Sequence, residues 1–285
     1  MAAHVVVGAD GSAPSQTAVE WAAEDAARRG CDLRIVHVYE PTDHYAPSPE
    51  FQDSVRKYGQ DVLEKAAERA RGRAPWTEVS TSLVSGRVAE VLRREAEDAE
   101  QVVVGSRGLG GFTGLLLGSV TRSLAGHVAA PIVVVRDVPE RVRGEIAVGY
   151  DGSEHSVTTL QYAFEEAARR KARLQAIHTW QMPIMGLYAV AYAPLLEDMA
   201  AAEQRTATNA LSPWRERYPG VEVKQTVICE HPVVALRNAS ATADLVVVGS
   251  RGLGAFESAV LGSVSHGVLH HAHCPVAVVN PRDEA

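Results

Sequence analysis

A chain of 285 residues with 46% hydrophobic and 22% charged side chains has room for two ordinary globular domains, each with its own core. Its formal net charge of −7, without a basic run, argues against nucleic acid as a partner, since that affinity rests on Lys and Arg neutralising phosphates. No stretch nears the roughly 20 apolar residues that cross a bilayer, no signal-peptide pattern opens the chain, and Cys31, Cys229 and Cys274 are odd in number and far apart, so a reducing cytoplasm is expected and a disulfide framework is not.

In chain order, a β-branched run at residues 4–7 predicts a strand, followed by an amphipathic helix over 14–29 with Ala18, Ala22 and Ala26 on one face. A strand at 33–39, a Pro-rich loop and a helix over 51–71 come next. Then follow a strand at 78–84, a helix over 88–96, a strand at 102–104, a Gly-rich loop, a helix over 119–127 and a strand at 132–135. After a short polar linker the order repeats, with apolar strands at 146–148, 174–177, 221–227, 245–248 and 276–279.

The repetition is literal. Residues 102–110 and 246–254 both read VVVGSRGLG, and the match runs on through Leu117-Gly118-Ser119-Val120 and Leu261-Gly262-Ser263-Val264 to Pro131 and Pro275, all offset by 144. Near the start of each half, Val7-Gly8-Ala9-Asp10-Gly11-Ser12 matches Val148-Gly149-Tyr150-Asp151-Gly152-Ser153 at an offset of 141, so three residues enter between, within 181–220. A repeat this long predicts two complete domains, 1–138 and 144–281, rather than a solenoid. Continuous apolar strands alternating with helices predict an α/β fold: two Rossmann-like, doubly wound domains, each a five-stranded parallel sheet flanked by helices. Ligands of such sheets sit beyond the carboxyl ends of the strands, where the glycines and the Asp of this sequence fall.

Gly105-x2-Gly108-x9-Gly118-Ser119 and Gly249-x2-Gly252-x9-Gly262-Ser263 each leave a strand and finish at the start of a helix. Glycines let backbone N–H groups approach a ligand without a Cβ in the way, and a helix start offers unpaired donors and a positive dipole end. That chemistry suits a phosphate chain. Ser119 and Ser263 are N-cap types, Thr121 and Ser265 lie just beyond them, and Arg107 and Arg251 are within reach of a phosphate or of a carboxylate neighbour.

On these motifs the chain resembles a tandem universal stress protein of the ATP-binding subclass, along essentially its whole length. The resemblance implies ATP, with Mg²⁺, in each domain. It implies that Asp10 and Asp151, beside Ala9 and Tyr150, lie near base and ribose, and that Val38 and Thr179 line the adenine through their backbone. It implies that Gly105, Gly108, Gly118, Ser119, Val120, Gly249, Gly252, Gly262, Ser263 and Val264 bind the phosphates. It also implies that the last strands, at 131–135 and 275–279, pair edge to edge as an internal pseudo-dimer, with a further homo-dimer open.

Inside the glycine loop the halves diverge: Gly111, Thr113 and Gly114 become Ala255, Glu257 and Ser258. The added carboxylate predicts weaker binding in the second half. His270, His271, His273 and Cys274 cluster where the first half has only His127, and they read as histidines complementing a helix C-terminus, so no metal site is expected. Glu230-His231-Pro232, Ser12 and Ser153 read as helix caps, and Trp21, Trp76, Trp180 and Trp214 as packing. With no P-loop Lys and no repeated Ser–His pairing, no catalytic residue is expected. The expected role is a nucleotide-binding sensor or regulator acting on an unknown signalling partner. The alternatives are a slow nucleotide-hydrolysing or nucleotidyl-transferring enzyme, or a structural dimer with empty loops.

Overall fold

The computed structural model describes residues 3–40, 48–109, 118–125, 127–182, 193–250, 252 and 261–281. The chain divides into two compact units, Met1–Val138 with Pro275–Asn280, and Pro139–Cys274 with Pro281–Ala285.

In the first unit the strands are β1 (His4–Gly8), β2 (Asp32–Tyr39), β3 (Val79–Ser85), β4 (Gln101–Gly105) and β5 (Ile132–Val135). They lie in the order β3-β2-β1-β4-β5, all parallel. The order reverses between β1 and β4, and that switch point opens a crevice at the carboxyl ends. Val5, Val6, Val7, Val102 and Val103 are fully buried, as a strand covered on both faces requires. The helices are α1 (Ala13–Arg29), α2 (Pro49–Arg73), α3 (Val88–Ala96) and α4 (Ser119–Leu124). The chain's last strand, β10 (Val276–Val279), also belongs to this unit and runs antiparallel to β5, with Ala277 opposite Val133. The two last strands therefore pair as the sequence led us to expect.

In the second unit, β6 (Glu145–Tyr150) lies between β7 (Arg173–Trp180) and β9 (Leu245–Gly249), with β8 (Val223–Cys229) outside β7. All are parallel. The helices are α5 (Ser156–Arg170), α6 (Ala193–Arg217), α7 (Pro232–Ser240) and α8 (Ser263–His271). β2 and β7 are offset by 141 and α2 and α6 by 144, which confines the three extra residues to 181–192.

Helix ends show where the two copies part. α1 starts on Ser12, whose side chain accepts from the Ser15 N–H, with Pro14 in its first turn, and stops at Gly30 in the left-handed region (φ 67°). α5 starts two residues later than Ser153, on His155, and stops at Lys171, the counterpart of Gly30, in the same left-handed region (φ 51°). A Cβ-bearing residue there costs about 1 kcal/mol. Ser153 thus does not cap its helix as expected; its hydroxyl donates to Asp151 instead, at 2.6 Å. α4 also stops at Leu124, short of the expected 127, whereas α8 runs the full length to His271.

A buried carboxylate sits in each first helix, and in the first unit it also ties the helix to the sheet. Asp25, fully buried, accepts from Arg29 Nε at 2.7 Å and from Gln101 Nε2 of β4 at 2.7 Å. Glu166, likewise buried, pairs with Arg170 at 2.8 Å and with Arg169. A buried carboxylate without such partners would cost several kcal/mol.

Candidate functional site

At the first unit's switch point the chain leaves β1 through Gly8-Ala9-Asp10. The Asp10 carboxylate accepts from the Ser12 N–H (2.9 Å), the Ser12 hydroxyl (2.6 Å) and the Leu109 N–H beyond β4 (2.8 Å). Burial raises its pKa, but these bonds, with help from Ser15, outweigh it and hold the carboxyl below its ordinary range. A Cβ on Gly108 would stand 2.4 Å from Asp10 Oδ2, so the glycine exists because a pinned carboxylate occupies the space. Asp10 is in this way the clasp between the β1 and β4 loops.

The second unit repeats the corner with a different weave. Asp151 Oδ1 accepts from the Ser153 N–H (3.0 Å), the Ser153 hydroxyl (2.6 Å) and the Ser156 hydroxyl (2.5 Å). A Cβ on Gly252 would stand 2.9 Å from Asp151 Oδ2. Beside this corner opens a cavity of about 620 Å³, a size that takes a nucleotide-sized ligand. Its walls are apolar at Ile177, Leu236, Val248 and Leu261, and polar at Asp151, Ser156, Thr159 and Thr179. Gly262, Ser263, Val264 and Ser265, at the start of α8, line it as well. No side chain caps that helix start, so its N–H groups and dipole face the cavity. Among the described lining residues there is no Lys or Arg; an anion here would rely on backbone donors.

Of the residues expected from the second half, Tyr150, Asp151, Thr179, Gly249, Gly252, Gly262, Ser263, Val264 and Ser265 all line this one cavity. Arg251 lies outside the described residues, as do Gly111, Thr113, Gly114 and their counterparts Ala255, Glu257 and Ser258. In the first half, Ala9, Asp10, Gly105 and Gly108 meet at the switch point. Val38, next to the last residue of β2, is half-buried opposite Val84, Arg107 is exposed, and Gly118, Ser119, Val120 and Thr121 open α4.

The helix caps differ from the expectation, and several other residues have local structural roles. The N-caps are Gly118 and Gly262, with Ser119 and Ser263 one position inside, because each glycine takes the extended backbone (φ −69° and −64°) that a cap needs. The Gly118 and Gly262 N–H groups are spent on the Ser106 and Ser250 carbonyls, at 3.1 and 2.7 Å. Gly105 is small for packing: a Cβ there would stand 2.9 Å from the carbonyl carbon and oxygen of Pro14 in α1. Ser265 likewise turns its hydroxyl to the Gly249 carbonyl. Tyr150 donates its hydroxyl to the Ala207 carbonyl at 3.2 Å, and burial pushes its pKa well up, so it is a neutral wall.

Other residues passed unnoticed in the sequence. Trp180, read as packing, lines the cavity, as do Ser156 and Leu236. His37 and His178 recur at the offset of 141. Each turns Nδ1 to the carbonyl next to its Asp, Ala9 at 2.7 Å and Tyr150 at 3.2 Å. The repeat itself was the signal that could have found them. His231, read as a cap, does cap α7 by accepting from the Val233 N–H. Among the described residues no helix is long and apolar enough to cross a membrane.

Comparison with known proteins joins these observations. The sequence model of the universal stress protein family matches residues 1–136 and again 143–280. A universal stress protein of Mycobacterium tuberculosis is 35% identical, over 99% of this chain and 96% of its own. One from Mycolicibacterium smegmatis is 34% identical, over 98% and 97%. The crystal structure of a universal stress protein from Archaeoglobus fulgidus superposes with a TM-score of 0.71 at 21% identity, covering 97% of this chain and 98% of that one, which speaks for the fold alone. Matched twice by one family model and along its length by tandem relatives, the chain belongs to the universal stress protein family as two such domains in series.

Proposed function

We propose that this protein is an adenine-nucleotide-binding regulator, with ATP the preferred ligand, rather than an enzyme. The observation that carries the reading is the second unit's cavity, where an apolar cleft, a hydrogen-bonded carboxylate and an uncapped helix start converge. The cleft lined by Ile177, Leu236 and Val248 suits a flat base, and Thr179 lines the same cavity. Asp151 suits ribose hydroxyls, and the N–H groups of Ser263, Val264 and Ser265 suit the phosphates. Mg²⁺, when bound, offsets phosphate charge that the described lining residues, with no Arg or Lys among them, leave unopposed. The matching Asp10, Gly108 and Gly118 of the first unit support a second site of the same kind, and the added Glu257 supports weaker binding in the second half. Occupancy then biases the shape presented to a signalling partner in the cytoplasm.

Denaturing the purified protein and identifying the released small molecule by chromatography and mass tests this directly. The expected result is adenine nucleotide at one to two per chain, and titration calorimetry with ATP on the stripped protein should refill it. The absence of both released nucleotide and saturable ATP binding would defeat the proposal.

A further inference from the structure

The histidines of α8 form a pair that the nucleotide reading does not use. His266 and His270 sit one turn apart on the same face, and their Nε2 atoms stand 3.3 Å from each other. Their ring centroids are 4.4 Å apart. His266 is exposed and His270 half-exposed. The first half carries Arg122 and Gly126 at the corresponding positions, so the pair belongs to the second domain alone.

We infer that His266 and His270 are a two-histidine chelate for a late first-row divalent cation, with Zn²⁺ the natural probe. Two imidazole nitrogens bound to one tetrahedral Zn²⁺, each at about 2.0–2.1 Å, stand about 3.3–3.4 Å apart. The separation already present in the protein is that bite. In the metal-free pair one ring's N–H is shared with the other ring's nitrogen. Rotation about χ2, a soft torsion for His, turns both lone pairs onto one point without moving the helix. Two histidines at i and i+4 are the spacing by which helices bind zinc elsewhere. Imidazole also suits late divalent cations generally, and they differ in affinity in a fixed order.

The setting adds to the geometry. The pair occupies the last two turns of α8, which ends at His271, and the negative end of the helix dipole favours a cation there. Cys274 does not join: it is buried, and burial pushes its thiol up to about 12, away from the thiolate that binds metal. Among the described residues no group of three or more His, Cys, Asp or Glu side chains gathers for a metal. The site is accordingly a two-ligand one, with its remaining positions left to water or to a ligand from outside the chain. A closed structural zinc centre takes four protein ligands, so this one suits reversible uptake.

The test is a Zn²⁺ titration of the full chain, dialysed free of metal and nucleotide, followed by calorimetry and by the imidazole ¹⁵N resonances. Saturable binding should weaken tenfold or more in His266→Ala and in His270→Ala, and persist in His271→Ala. The Nε2 signals of His266 and His270 should move together. Absence of saturation, equal affinity in both pair variants and wild type, or an equal loss in His271→Ala overturns the assignment. Thermal melts of the three variants check that each is folded.

Discussion

The two switch-point corners start from the same motif, Asp-Gly-Ser, and close differently. In the first unit the carboxylate reaches across to β4, taking the Leu109 N–H, and Gly108 makes room for it. In the second, Ser153 and Ser156 hold one oxygen of Asp151, whereas the Ser15 hydroxyl of the first unit turns to the Ser12 carbonyl; Leu253, the counterpart of Leu109, lies outside the described residues. The floor beneath differs too. His37 packs against Gly59, where a Cβ would come within 2.9 Å of the ring, and Tyr58 lies edge-on to it. His178 instead meets Glu203, which stands where Gly59 does, at 2.8 Å, and Tyr150 fills the place of Ala9. The Nδ1 of each histidine faces a main-chain carbonyl, so a repeated backbone keeps the histidine while its other neighbours drift. A duplicated fold thus preserves the clasp and the helix start and lets the walls specialise.

The largest change should come from Gly105→Ala. Its Cβ would drive into the Pro14 main chain, which cannot swing aside, and a loss of about 2–3 kcal/mol is expected, read as a fall in the denaturant midpoint. Gly118→Ala is the contrast. Its nearest neighbour, the Ser106 carbonyl oxygen, would be 3.6 Å away, and the midpoint should stay nearly unchanged.

Next in size are Gly108→Ala and Gly252→Ala. The added methyl displaces the Asp carboxylate rather than backbone, so circular dichroism should be preserved while nucleotide affinity falls. The tighter approach, 2.4 Å against 2.9 Å, predicts the larger loss in the first unit. About 100-fold against about 10-fold is the scale that 1–3 kcal/mol of displacement strain would give. Calorimetry that finds binding intact in both variants would return these glycines to a purely structural role.

Lys171→Gly should stabilise the protein by about 1 kcal/mol, because it gives α5 the left-handed terminus that Gly30 gives α1. A thermal melt that does not move upward would mean that the lysine side chain is worth as much as the strain.

The smallest effect is a pH dependence. The folded-state pKa of Asp10 lies below its ordinary 3.8. The stability it contributes is therefore present above that value and lost as pH falls through the folded pKa, since the protonated acid gives up the Ser12 and Leu109 bonds. Asp10→Asn should lower the midpoint near neutrality and flatten its decline as the pH falls through and below the ordinary carboxylate range. An acid limb as steep in the variant as in wild type would assign that decline to other carboxylates. Asp10 is half-exposed, which keeps the effect modest.

Much of this was readable beforehand. Strand runs such as residues 102–104 and 246–248 are apolar on both faces, and only a sheet covered on both sides buries both. α3 begins and ends where its apolar period does, and the site residues expected from the sequence account for nine of the nineteen residues that line the second unit's cavity. Helix starts were less legible, since Ser119 and Ser263 look like caps while the residue before each takes the extended backbone. The roles of Gly105 and Gly108 were invisible too, because a missing Cβ does not say what fills the space it leaves.

Periodicity, the doubled motif and the place of the glycines are properties of the chain read locally, so the sequence alone determined a pair of doubly wound domains and the glycine-rich corners at the carboxyl ends of their strands. Which donor holds which carboxylate oxygen depended on atoms brought together across about 100 residues, as between Asp10 and Leu109, and only the folded chain decides such contacts. The same is true of Trp180 and Leu236 becoming walls of one cavity, since distant segments share a surface only after the sheet has set their register.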